Sequence, residues 1–161
     1  MSAPSPIAVA SPTTDTPGAW LSFTLSGQVY AIPLARVREV IRYEPPTPVP
    51  GAPGDVLGIV NLRGSITTIL DGARRLGLSR KQPPGSTEGE RCIIFDFGEE
   101  AVGVHIDAMG DVIDLRDAEV APPPPGRASR GDDPVDGVVP LHGGFIALLD
   151  VTNLCRMKGS A

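Results

Sequence analysis

The sequence predicts a mostly β domain built by internal duplication, on three observations. The 18 prolines and 19 glycines among 161 residues favour short strands broken by turns over long helices. Residues 58–71 (GIVNLRGSITTILD) match residues 137–150 (GVVPLHGGFIALLD) without a gap, 79 positions later. Six of the fourteen pairs are identical, where chance gives about one. Upstream, residues 23–41 align on residues 95–113, which sets Phe23 on Phe95, Ile32 on Val104, Val37 on Met109, Glu39 on Asp111 and Val40 on Val112. Ordered matches in both halves mark a doubled β unit.

Residues 1–18 are rich in Pro, Ser, Thr and Ala, with Asp15 the only charge. They carry too little apolar surface to offset ordering entropy and read as a disordered tail. Strand pattern begins at Trp20: Leu21, Phe23 and Leu25 alternate, Gly27 turns the chain, and residues 29–34 return it. Pro33 has no N–H for a ladder, so it belongs at an edge or a strand end. Residues 34–37 fit one helical turn and residues 38–43 extend again. Five prolines between positions 45 and 53 then make a stiff, irregular connector.

The 58–71 stretch reads as a hairpin of β-branched segments hinged at Arg63-Gly64, with Gly64 free to take a positive φ. Asp71 is placed to cap a short helix that carries Arg74 and Arg75 in its last turn and stops at Gly77. Asp150 stands in the same relation to residues 151–156. Between the halves, residues 79–90 are polar and contain Pro83, Pro84 and Gly85, a natural boundary. The second half runs as strands over 91–97, 101–106 and 112–115. A proline run at 122–125 and a polar loop to Asp136 follow, absorbing the seven extra residues of this half as a variable surface loop.

A net charge of −5 and only 4% aromatic residues argue against a nucleic-acid binder, which needs a cationic face with stacking platforms. The one dense basic group, Arg74, Arg75, Arg80 and Lys81, reads as a solvated helix end. Cys92 and Cys155 lie in or beside apolar segments and are expected as buried, reduced thiols. His105 and His142 lack a Cys or His at metal spacing and read as surface or capping histidines. Asp132, Asp133 and Asp136 read as a solvated acidic loop, because the ordered spacing of a calcium loop is missing. Neither a phosphate-cradling glycine loop nor a nucleophile elbow appears, so no catalysis is expected. With no basic residue before Arg36 and no apolar run near 18 residues, a cytoplasmic protein is expected.

Two constellations stay open on these residues alone. Glu39 and Arg63 form either a structural ion pair at the hinge or a presentation of arginine donors to a partner. Val37, Val40, Met109 and Val112 are either core or an apolar patch that a partner covers.

Residues 27–34 (GQVYAIPL), the run Val37-Arg38-Glu39-Val40, Val49-Pro50 and the 58–71 stretch with Asn61-Leu62-Arg63-Gly64 together resemble the CheW family of chemotaxis coupling proteins. The resemblance spans about residues 23–154. It implies two intertwined five-stranded SH3-like β-barrels, one over about 19–82 and another over about 90–157, with short helices after Asp71 and Asp150. It also implies a non-enzymatic, cofactor-free adaptor between the cytoplasmic tip of a chemoreceptor and the regulatory domain of a CheA-type histidine kinase. Such an adaptor is recruited to membrane-associated receptor arrays without inserting into the membrane. Carried over by position, Val37, Glu39, Val40, Gly58, Asn61, Arg63, Met109 and Val112 become partner-contact residues. The alternatives are a coupling module of a non-flagellar pathway, such as pilus motility or second-messenger signalling, and a small-barrel nucleic-acid binder.

Overall fold

Turn chemistry sets the strand boundaries. At Ser26-Gly27 and again at Arg63-Gly64 both central residues are left-handed, with φ of 49° and 81°, then 53° and 85°. That is the two-residue turn whose twist matches paired strands. The first joins β1 (Ala19–Leu25) to β2 (Gln28–Pro33), and the second joins β4 (Val56–Leu62) to β5 (Ser65–Asp71). A single 3-10 turn over Leu34–Arg36 leads from β2 into β3 (Val37–Arg42). Asp71 accepts the N–H groups of Ala73 and Arg74 and so starts α1 (Gly72–Arg75), which ends before the left-handed Gly77. The second half repeats the series as β6 (Arg91–Phe97), β7 (Glu100–Ile106), β8 (Ala108–Asp114), β9 (Val135–Leu141), β10 (Gly144–Leu149) and α2 (Val151–Cys155), the last capped by Asp150. β8 starts four residues earlier than the alternation suggests, because Ala108 and Met109 already pair with β1.

These elements come from a computed structural model, which describes residues 18–80, 82–123, 134–141 and 143–156. The expected tail, apart from Gly18, lies outside the described residues. So do Lys81, Asp132, Asp133, His142 and most of the proline-rich loop.

The ten strands form two five-stranded sheets, ordered β8-β1-β2-β10-β9 and β3-β6-β7-β5-β4. The expected split into a barrel over 19–82 and another over 90–157 is corrected here. Each sheet joins the first hairpin of one repeat to the last three strands of the other, because the three-residue link after β2 carries the chain across. The duplication itself holds strand by strand. Leu21 pairs with Val112 as Ile93 pairs with Val40, and Phe23 pairs with Met109 as Phe95 pairs with Val37. Even the bulges recur, at Gly110 in β8 and Arg38 in β3.

Each sheet closes on itself where the chain beyond one edge strand meets the other edge. After β3, Thr47 exchanges two backbone hydrogen bonds of 2.9 Å with Ile59 of β4. After β8, Ala121 exchanges bonds of 2.8 and 2.9 Å with Val138 of β9. The result is two small barrels, each with its own interior. Ala31, Ile113, Val139, Ile146 and Leu148 fill one, and Ile69, Cys92, Ile94 and Ala101 fill the other.

The largest core lies between the barrels. Phe23, Leu25, Tyr30, Ile32 and Leu149 from one sheet meet Leu70, Ile93, Phe95, Val104 and Ile106 from the other, together with Leu154 of α2. Strand alternation therefore serves two cores at once, and β7 is buried from Ala101 to Ile106 without interruption. Burial on this scale fixes the barrels relative to one another through apolar area removed from water.

Candidate functional site

The described surface carries a polar clasp across the seam of the second sheet. Arg63 stands at the tip of the β4–β5 hairpin with φ 53°, a conformation that side chains bearing a Cβ avoid. The Asn61 side-chain oxygen accepts the Gly64 N–H at 2.9 Å, which braces the turn. From this perch Arg63 reaches β3, where its Nη1 donates to Glu39 Oε2 and its Nη2 to Glu39 Oε1, both at 2.6 Å. This is the two-pronged arginine–carboxylate geometry that lysine cannot reproduce. The bond to Arg63 is the main reason the Glu39 carboxyl ionises more readily than usual, against a smaller opposing effect of burial. The Arg63 side chain remains 69% exposed, whereas that of Glu39 is 21% exposed.

Of the eight residues singled out in the sequence, Glu39, Asn61 and Arg63 converge in this clasp, with the exposed Val40 one position further along β3. Val37, Met109 and Val112 are half-buried and pack against the central core, Val37 and Met109 each opposite a fully buried phenylalanine. Met109 and Val112 sit on β8, in the other sheet from β3. Gly58 is buried. A Cβ there would meet the Thr47 carbonyl oxygen at 2.3 Å, so the glycine is required by the barrel closure.

Two expectations are corrected. Arg75 and Arg80 are not a solvated helix end, since their side chains are only 6% and 16% exposed. Arg75 donates to Asp55 at 2.9 Å and to the carbonyls of Asn153 and Leu154 at 2.7 Å each, tying α1 to the last turn of α2. Nor is His105 a surface or capping residue. It is fully buried on β7, where its Nε2 meets Glu90 Oε1 at 2.5 Å and its Nδ1 meets Arg80 Nη2 at 3.2 Å. Arg80 also donates to Asp71 at 3.0 Å and to Asp107 at 3.3 Å. The signal that finds this relay is the near-continuous apolar run around His105, which marks a strand covered on both faces.

Among Glu90's influences burial is the largest and resists ionisation. Bonds from the Gly85 N–H, His105 and the Thr87 N–H and hydroxyl together overcome it and hold the carboxyl at about 2. Burial also pushes the free thiols of Cys92 and Cys155 up to about 12. Among the described residues no group of three His, Cys, Asp or Glu side chains is placed to hold a metal ion. None of the described helices is long and apolar enough to cross a membrane.

Two rigidly fused barrels that present fixed side chains at their seams define a small β scaffold whose work is done by its surface. The chain belongs to the CheW-like family, whose sequence model matches residues 19–158. It is similar to the chemotaxis protein CheW of Rhizobium meliloti (strain 1021), 29% identical over 134 residues that cover 83% of this chain and 84% of the relative. It is equally similar to the chemotaxis protein CheW of Bacillus subtilis (strain 168), 29% identical over 138 residues covering 86% of each. Among solved structures, the scaffolding protein TtCheW of Thermoanaerobacter tengcongensis superposes with a TM-score of 0.76 at 26% identity, over 90% of this chain and 97% of that one. The two barrels are accordingly SH3-like, and the chain is a non-enzymatic chemotaxis scaffold of this family.

Proposed function

We propose that the chain couples the cytoplasmic tips of chemoreceptors to a CheA-type histidine kinase, holding both on one rigid frame at membrane-associated arrays in the cytoplasm. The observation that supports this most is the Arg63 clasp. Its backbone is held in an unfavourable conformation and its guanidinium is kept largely in solvent, so the position serves presentation better than stability. A two-pronged bond to Glu39 fixes the orientation of the donors before any partner arrives, which lowers the entropy lost on binding.

Glu39, Val40, Asn61 and Arg63 form the contact region of the first repeat in this reading, and Gly58 supports it only through the backbone path of β4. Val37 lies at its base, and Met109 and Val112 mark the equivalent margin of the second repeat. Scaffolding then works through geometry. Barrels locked by a common core pass a displacement of one partner to the other as a change in interface contacts.

The test is Arg63→Glu, examined by circular dichroism and by pull-down on a receptor signalling fragment and on the kinase regulatory domain. The spectrum stays that of the wild type, while capture of at least one partner weakens roughly tenfold or more. Undiminished capture of both removes Arg63 from the contact surface.

A further inference from the structure

The duplication lets one barrel show what the other lacks. In the second barrel Glu39 follows the bulge of β3 and shares the inward face with Ile41, so the Arg63 clasp caps that end of the barrel. The 72-residue offset puts Asp111 and Ile113 of β8 in the same two places on the first barrel, after the bulge at Gly110. There the clasp cannot form. The 79-residue offset sets His142 in the place of Arg63, an imidazole has no pair of parallel donors, and Asp111 is one methylene shorter than Glu39. Among the described residues nothing donates to the Asp111 carboxylate.

The first barrel is open at this end. Ser22, Thr24, Val29, Asp111, Ile113 and Ile146 line a cleft of about 490 Å³. Ile113 and Ile146 are buried and belong to the barrel interior, whereas Val29 on the wall and Phe145 on the rim stay 37% and 48% exposed. In the second barrel the counterparts of Ser22 and Val29 are Ile94 and Ala101, both buried. A hydroxymethyl thus stands where the other copy has a large side chain, and a branched apolar group is left facing water. An apolar mouth with a few placed polar groups is where a β-barrel takes a ligand.

Charge and geometry select the occupant. The Asp111 carboxylate is held ready over the cleft, because Ser22 Oγ donates to the Asp111 carbonyl at 3.0 Å and accepts the Asp111 N–H at 2.8 Å. An unpaired carboxylate in a chain of net charge −5 draws a cation. The matching carboxylate of the second barrel already holds a guanidinium, with both prongs at 2.6 Å. An arginine brings that head on an apolar stem, which can lie along Val29 while the head stays in water.

We propose that the mouth of the first barrel docks a partner segment that presents an arginine beside an apolar side chain, the guanidinium clasping Asp111 and the apolar side chain entering the cleft against Val29. The partner supplies from outside the group that Arg63 supplies to the second barrel from within the chain. None of the residues that line this mouth belongs to the Arg63 surface, so failure of the coupling assignment would leave the site intact.

Backbone amide shifts of the isotope-labelled full chain, titrated with the blocked tetrapeptide acetyl-Gly-Leu-Arg-Gly-amide, test the site. The amides of Gln28, Val29, Asp111 and Phe145 shift together and saturate. The same peptide with citrulline, which keeps the shape of arginine without its charge, binds about tenfold more weakly. Asp111→Asn removes that difference, and Val29→Ser weakens both peptides about fivefold. Should either variant not fold, the comparison of the two peptides on the wild type decides. Absence of shifts at these positions at about 10 mM peptide, equal binding of the two peptides, or an undiminished difference in Asp111→Asn overturns the proposal. Shifts of the same amides on raising the protein concentration alone would seat a second copy of the chain in the mouth and overturn it as well.

Discussion

Replacing Gly58 by alanine, with Gly137→Ala as its partner experiment, tests how the barrels close. The two glycines occupy the same place in the two repeats, each beneath the backbone bridge that seals a barrel. Gly58 has φ 151°, and a Cβ there would lie 2.3 Å from the carbonyl oxygen and 2.8 Å from the carbonyl carbon of Thr47. Neither atom can rotate away, so the bridge itself must move. The substitution adds a backbone strain of about 1–3 kcal/mol and sacrifices the Thr47–Ile59 bonds at about 1 kcal/mol each, or about 3–5 kcal/mol in all. At Gly137 the nearest atom, 2.7 Å away, is the Cγ1 of Val120, a side chain that can turn, and the Ala121 oxygen is 3.1 Å away. Alanine there costs about 1–2 kcal/mol. Urea titration should show the two variants separated by at least about 1 kcal/mol, and Gly58→Ala should melt roughly 10 °C below the wild type. Equal destabilisation, or a Gly58→Ala protein within about 1 kcal/mol of the wild type, would refute the account of closure.

Three other outcomes are expected. Arg75→Ala strands the half-buried Asp55 carboxylate and the α2 carbonyls, and should lower stability in urea by about 2–4 kcal/mol. Glu90 ionises more easily in the folded chain, at about 2 instead of the ordinary 4.5, so its stabilisation is complete above pH 4.5 and is lost as pH falls towards 2. The loss amounts to ~3 kcal/mol, and acid titrations of Glu90→Gln should show a correspondingly flatter slope. The Cys92 and Cys155 thiols, buried and held at about 12, should resist a disulfide reagent in the native protein and react as two groups per chain in urea.

Local chemistry explains why so much of the fold was legible in the residues. Turn pairs such as Ser26-Gly27 and Arg63-Gly64, the caps Asp71 and Asp150, and the alternation in β1 and β10 act over a few positions, and they recur at a constant offset because the unit is doubled. The neighbourhood of Glu39 and Arg63 was also readable, since a hinge arginine and a strand carboxylate in a small barrel have few places to meet. The burial of His105, Arg75 and Arg80 was not. A charged residue near a helix end, or a histidine in an alternating strand, carries no local mark of what will cover it; Asp55, Asp107 and Glu90 arrive from other elements.

By itself the sequence determined that there are two copies of one β unit, where each strand turns, and which residues cap the short helices, for these depend on contacts between near neighbours in the chain. Only the tertiary structure decided which copy lends its hairpin to which barrel. Matched repeats offer the same edge bonds to either partner, so local pairing energies leave self-closure and exchange alike. The choice falls to the three-residue link after Pro33, which carries β3 out of its own hairpin's sheet, and to the common core that brings Phe23 and Phe95 together.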